Sequence, residues 1–143
     1  MLRGIPSIIS PDLMNTLMRM GHGDEIVFAD RNFPADTCGK RVIRADGHLI
    51  SHLLSAVLPY FPLDHAVPNP VAVMSLVGHD QAPPVWDTYR KLLSGQSESF
   101  IDFEYVERFA FYERASQAFA VVSTGDQAFK GNIILKKGVV RDS

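Results

Sequence analysis

A single three-layer α/β domain with a central mixed sheet, covering residues 1–143, is the fold class that this sequence predicts. Helix-period and strand-period stretches alternate along the chain instead of falling into separate blocks. The stretch 71–77 is almost wholly apolar, as expected of a strand covered on both faces. No repeat, low-complexity segment or polar linker divides the chain, and 143 residues are enough to bury a core without staples.

Each element has a local cause. Ser10-Pro11-Asp12 reads as N-cap, first helical position and first-turn acid. Leu13, Met14, Leu17 and Met18 then form an apolar face, and Gly21 ends the helix. A strand follows over Glu25–Ala29, then a loop through Asn32, Phe33 and Pro34, and a second strand near 41–44. Asp46-Gly47 is expected to cap a helix carrying Leu49, Leu53, Leu54 and Val57, which Pro59 stops. After the 71–77 strand, Pro83-Pro84 precedes a helix with Trp86, Tyr89, Leu92 and Leu93 apolar, closed by Gly95. Residues 100–106 alternate on a strand period, and 108–118 suit a short helix. Strands near 119–123 and 132–136 complete the chain.

Composition excludes several classes of function. A net charge of −2 and a pI near 6.2 give no electrostatic reason to expect nucleic acid or an anionic membrane. No stretch is apolar enough to span a bilayer, and the N-terminus has no secretory apolar region. Cys38 stands alone, so no intrachain disulfide is possible, and a cytoplasmic location is expected. Neither a dinucleotide-binding glycine turn nor a phosphate-cradling loop occurs, and no serine sits in a nucleophile elbow. His48 and His52 stand four apart on the predicted helix, a spacing that metal ligands use. They lack an intervening glutamate partner or a third ligand, so no metal is expected. Cofactor-free acid–base chemistry or simple binding remains.

The strongest candidate for that chemistry is His22, flanked by Gly21 and Gly23. Glycines on both sides remove neighbouring side chains, so a ligand can approach the ring closely. Histidine donates and accepts protons near neutral pH, and Asp24 and Asp30 are near in sequence. A lone histidine is nonetheless more often an ordinary surface or core residue. Asp30 ends a predicted strand, where open α/β sheets bind small molecules, although an aspartate there also caps its own turn. Arg108 follows directly on a strand and could fork onto ligand oxygens.

At these residues the chain resembles the L-fucose mutarotase family, in the wider group shared with D-ribose pyranase. The resemblance covers nearly the full length. It rests on Gly4-Ile5-Pro6, Ile9-Ser10-Pro11-Asp12-Leu13, Met20-Gly21-His22-Gly23-Asp24-Glu25-Ile26 and Ala29-Asp30 with Asn32-Phe33-Pro34-Ala35. Ile43-Arg44-Ala45-Asp46-Gly47, Arg108-Phe109-Ala110-Phe111-Tyr112-Glu113-Arg114-Ala115 and Gly131-Asn132-Ile133-Ile134-Leu135-Lys136 extend it.

The resemblance implies a cofactor-free isomerase that interconverts the anomers of a monosaccharide. It also implies a homo-oligomer, a decamer of stacked pentamers, in which neighbouring copies complete the pocket. His22 would transfer the protons, while Asp30, Arg108, Lys130, Gly131 and Asn132 would hold the sugar. One departure stands out: the family's usual Tyr-Gly-Asn is here Lys130-Gly131-Asn132. A phenol can stack on a sugar and share a proton, whereas an ammonium only donates. Two expectations follow, either an outward Lys130 with binding by backbone groups, or an altered activity.

Overall fold

The computed structural model describes residues 1–97 and 100–142. Its elements in chain order are α1 (Pro11–Arg19), β1 (Glu25–Ala29), α2 (Ala35–Cys38), β2 (Val42–Ala45) and α3 (Ile50–Val57). They continue with a 3-10 turn (Leu58–Tyr60), β3 (Val71–Met74), α4 (Val85–Gln96), β4 (Glu104–Val106), α5 (Arg108–Gln117), β5 (Ala120–Thr124) and β6 (Ile133–Lys136). Six strands form one sheet in the order β2-β5-β1-β6-β3-β4. The β2–β5, β5–β1 and β3–β4 pairs are parallel, and β6 runs antiparallel to both β1 and β3. The predicted mixed sheet is therefore present.

The three layers follow from the period of two along each strand. Ile26 and Phe28 of β1, Val71 and Val73 of β3, and Ile133 and Leu135 of β6 face one core with Leu13, Leu53, Trp86 and Leu93 from α1, α3 and α4. Val27 and Ala29, Ala72 and Met74, and Ile134 face the opposite core with Ala35 of α2 and Phe111 and Ala115 of α5. Strands β1 and β3 are thus clad on both sides, which is why they read as continuous apolar runs. Ser10 accepts the Leu13 amide at 3.1 Å and starts α1 as its sequence predicts.

Four local expectations are corrected. The four-residue α2, between Pro34 and Gly39, is too short for a helical period to show. Asp46 does not cap α3, because it pairs with Arg44 at 2.6 Å, and the Ile50 amide is capped instead by buried Asp126 at 2.9 Å. Since α3 begins at Ile50, His48 precedes the helix and does not share a face with His52. The 100–106 strand shrinks to Glu104–Val106, because Phe100 and Phe103 pack into the core as coil.

Strand direction sorts the loops into two ends. The carboxyl ends of β1, β3, β4 and β5 and the start of β6 gather at one edge of the sheet, and the start of β1 and the end of β6 lie at the other.

Candidate functional site

The carboxyl end holds a cleft of about 640 Å³. Asp30 follows β1, Glu107 and Arg108 follow β4, and Lys130 and Asn132 precede β6, and all five line it. Phe33, Met74, Phe109, Tyr112 and Phe129 supply apolar wall around these polar groups. Such a mixture is the usual make-up of a small-molecule site.

Asp30 is fixed by its own backbone surroundings. Its carboxylate accepts the Asn32 amide at 2.9 Å, while its own amide donates to the Asn132 side-chain oxygen at 2.7 Å. Burial raises the Asp30 pKa against the opposing pull of the Asn32 and Phe33 amides, and the Asp126 carboxylate adds to the rise. Arg108 opens α5, where the Glu107 carboxylate caps the Phe109 and Ala110 amides at 3.0 and 3.1 Å. Its guanidinium donates to the Tyr112 hydroxyl at 3.2 Å and lies over the Phe109 ring, 5.3 Å from its centroid. Its fork is thereby held at the cleft wall.

Lys130 points inward, which corrects the expectation of an outward side chain. Its ammonium donates to the Ser75 carbonyl at 2.6 Å and to Asp80 at 2.9 Å. Asp80 also accepts the Val77 amide at 3.0 Å, so the cation clips the loop after β3 against the turn before β6. That turn is unusual in itself, since Lys130 has φ of 47° in the left-handed region. Trp86 and Tyr89 of α4 hold it from behind: the indole N–H donates to the Lys130 carbonyl at 3.1 Å and the Tyr89 hydroxyl to the Gly131 carbonyl at 2.6 Å. With its amide given to Ala128, Gly131 has both backbone groups turned into the protein, and it does not line the cleft. A Cβ there would lie 3.1 Å from the Ala128 carbonyl oxygen and 3.3 Å from the Tyr89 hydroxyl, which suits glycine to the spot.

His22 lies at the other end of the sheet. The whole of β1 separates it from Asp30, on the order of 16 Å of strand at 3.3 Å per residue. Within one copy of the chain, His22 and the Asp30 cleft do not meet. The ring stands on a tight turn, where Asp24 accepts the Gly21 amide at 2.7 Å and Gly23 takes φ of 87°. Asp24 therefore shapes the turn and leaves the imidazole to another partner. That partner is Asp64, whose Oδ1 lies 3.1 Å from His22 Nε2. The His22 side chain is 51% exposed and that of Asp64 only 6%. The Ala66 amide holds the Asp64 carboxyl below the ordinary range, and His22 and Lys136 add to the pull while burial opposes it.

Sequence reasoning missed Asp64, Asp80, Trp86 and Tyr89 as parts of the site. No local motif marks them, because their partners are 42 to 50 positions away. Among the described residues no group of three or more histidine, cysteine or acidic side chains is arranged to hold a metal ion, and no helix is long and apolar enough to cross a membrane.

Fold and cleft together define an α/β protein with a polar, aromatic-walled small-molecule pocket at the carboxyl edge of its sheet. The chain belongs to the RbsD / FucU transport protein family, whose model matches residues 3–140. It is 51% identical to a fucose mutarotase of Danio rerio and to one of Homo sapiens, in each case over 97% of this chain and 94% of the relative. A crystal structure of the fucose mutarotase from Streptococcus pneumoniae in complex with L-fucose matches with a TM-score of 0.93 and 46% identity, covering 98% of this chain and 100% of the other.

Proposed function

We propose that this chain is an isomerase that interconverts the α and β anomers of L-fucose without a cofactor. The observation that carries the reading is the cleft itself, where Asp30, Arg108 and Asn132 bring an acceptor, a cationic fork and an amide to one aromatic-walled space. Hydroxyls need such acceptors and donors, and aromatic rings suit the apolar face of a sugar. The likeness to fucose mutarotases over nearly the whole chain supports the choice of sugar.

In this reading Asp30, Arg108 and Asn132 orient the hydroxyls, and His22 carries protons. The imidazole takes the proton of the anomeric hydroxyl, the C1–O5 bond breaks as C1=O1 forms, and the ring oxygen receives the proton back. The C1–C2 bond rotates and closure in reverse gives the other anomer. One imidazole serves both oxygens because they share one carbon. Holding the open sugar in place favours reclosure over escape. Lys130 acts on the sugar indirectly, through the loop it clips, and Gly131 through the turn it allows.

Because His22 is remote from its own cleft, the reading requires the ring of one copy to enter the cleft of another. Val77, Phe109 and Phe129 are 60%, 68% and 55% exposed around the cleft mouth, an apolar rim suited to burial against a second copy. A decamer of stacked pentamers is the assembly proposed from the family resemblance. The lone Cys38 suits the cytoplasm as the compartment.

Saturation-transfer NMR on L-fucose, with D-ribose and L-rhamnose alongside, tests the activity. Anomer exchange above the buffer rate, fastest for L-fucose, is expected. Folded, oligomeric protein that gives no enhancement with any of the three overturns the reading. Faster exchange of another sugar moves the substrate, and calorimetric binding without exchange makes the chain a sugar-binding protein.

A further inference from the structure

We infer that Asp126 is a positioning residue for the cleft: its side chain and backbone lock Asp30 and the turn that carries Lys130 and Asn132 into one rigid unit. This rests on the mutarotase reading, in which Asp30 and Asn132 hold the sugar, and deepens it.

The first argument is where the bonds of Asp126 go. Capping α3 uses one carboxylate oxygen, Oδ2, on the Ile50 amide at 2.9 Å. The other, Oδ1, accepts the Ala128 amide at 2.9 Å, and the Ala128 carbonyl in turn accepts the Gly131 amide at 3.2 Å. The Asp126 carbonyl accepts the Arg31 amide at 2.9 Å. A helix cap accounts for the first of these contacts and for none of the others.

The second is that Asp30 is gripped on both sides. Thr124 donates its hydroxyl to the Ala29 carbonyl at 2.7 Å and accepts the Asp126 amide at 3.1 Å. Ala29 and Arg31 are thus tied to Thr124 and Asp126, while the Asp30 amide between them reaches the Asn132 side chain at 2.7 Å. Behind the clamp, a Cβ on Gly125 would run into the Asp46 carbonyl oxygen, so the segment sits hard against the turn after β2. Thr124, Asp126 and Asn132 are all buried, and a buried polar network whose members are satisfied is rigid.

The third is electrostatic. The titratable and charged groups around the Asp30 carboxyl are Asp126 and Lys130 before β6, Asp80 after β3, Tyr89 of α4, and Glu107, Arg108 and Tyr112 before and within α5. Burial is the main cause that raises the Asp30 pKa, and the Asp126 charge adds to it. Burial, with the same two carboxylates, also pushes the Tyr89 hydroxyl up. Asp126 therefore acts on Asp30 through charge as well as through the backbone, and loss of that charge lowers the Asp30 pKa.

The test uses the full-length oligomer. Carboxyl ¹³C NMR follows Asp30 through a pH titration without sugar, and saturation transfer on L-fucose gives kcat and KM, for wild type, Asp126→Asn, Asp126→Glu and Thr124→Val. Asp126→Asn removes the charge and turns a donor toward one of the two amides. Its Asp30 titration should move to lower pH, and its KM should rise roughly ten- to a hundredfold with kcat little changed, the scale of a buried donor left unpaired. Asp126→Glu keeps the charge and both acceptors, so it should keep the wild-type titration and recover most of KM. Ser10→Ala, which removes the cap of α1 far from the cleft, should leave both readings alone. Thr124→Val keeps the Asp126 charge and cuts the tie to the Ala29 carbonyl, so it should raise KM several-fold, and it decides the matter where Asp126→Asn does not fold. Wild-type KM in Thr124→Val, or an Asp30 titration that stays in place in Asp126→Asn, overturns the inference. Wild-type protein that exchanges no anomers overturns the proposed function instead, and the Asp30 titration still decides whether Asp126 acts on its neighbour.

Discussion

Two buried carboxylates, one at each end of β1, respond to burial in opposite ways. Asp30 and Asp64 are 8% and 4% exposed, yet the pKa of Asp30 is raised and that of Asp64 is lowered. The Asn32 and Phe33 amides lower Asp30 and the Ala66 amide lowers Asp64, so the presence of amide contacts does not by itself explain the opposite signs. At Asp30 burial is the largest influence, whereas at Asp64 the Ala66 amide outweighs it. Asp30 faces the Asp126 carboxylate, whereas Asp64 faces His22 and Lys136. Desolvation therefore wins at the cleft and loses beneath the imidazole. The carboxyl group at the cleft is thus the weaker acid of the two. That difference fits the proposed function, in which a binding half-site and a proton-transfer half-site come from different copies of the chain.

The strongest way to break that comparison is to separate the halves genetically. On the proposed function, His22→Ala and Asp30→Ala should each lower anomer exchange by at least roughly a hundredfold, the one by loss of the proposed proton carrier and the other by loss of a proposed binding group. Co-expressed, they should regain activity in mixed oligomers, because some clefts then join an intact His22 to an intact Asp30. Random mixing of copies gives about a quarter of the wild-type rate. Exchange measured on the purified mixture checks this. Background activity in mixed oligomers of normal mass would rule out a site shared between copies.

A smaller effect probes the clip that shapes the cleft. Asp80→Ala removes one of the two hydrogen-bond acceptors of the Lys130 ammonium found among the described residues and also the acceptor of the Val77 amide. The loop after β3 should loosen, and KM for L-fucose should rise several-fold, about 1 kcal/mol of binding, with kcat changed less. A fall in kcat at constant KM would show that the clip acts on the chemistry and not on the pocket wall.

How much of this was legible in the sequence depended on distance along the chain. Strand β1 was readable to the residue because its signal is local, an apolar run ending on Asp30. The N-cap of α1 was readable for the same reason, Ser10 being three positions from the amide it caps. The cap of α3 was not, since Asp126 lies 76 positions from Ile50 and the nearer Asp46 looked sufficient. His22, Asp30 and Arg108 stood out by setting and by family resemblance, yet their placement at two ends followed only from the strand directions. Asp64 was invisible because nothing beside it in sequence hints at a histidine 42 positions earlier.

The smallest effect sharpens the opposite signs of the two carboxylates through the pH dependence of stability. Asp64 has a folded pKa below its ordinary value of 3.8, so its contribution is present above 3.8 and is lost as pH falls through the folded value. Asp30 has a folded pKa above 3.8, so its contribution is present below 3.8 and is lost as pH rises through the folded value. Urea unfolding of Asp64→Asn should accordingly show a deficit at pH 7, on the order of 1 kcal/mol for a charge-assisted hydrogen bond, that narrows at pH 3. Asp30→Asn should behave in reverse, comparing more favourably with the wild type at pH 7 than at pH 3. Parallel pH profiles for the two variants would mean that burial outweighs the amide hydrogen bonds at both ends of the sheet.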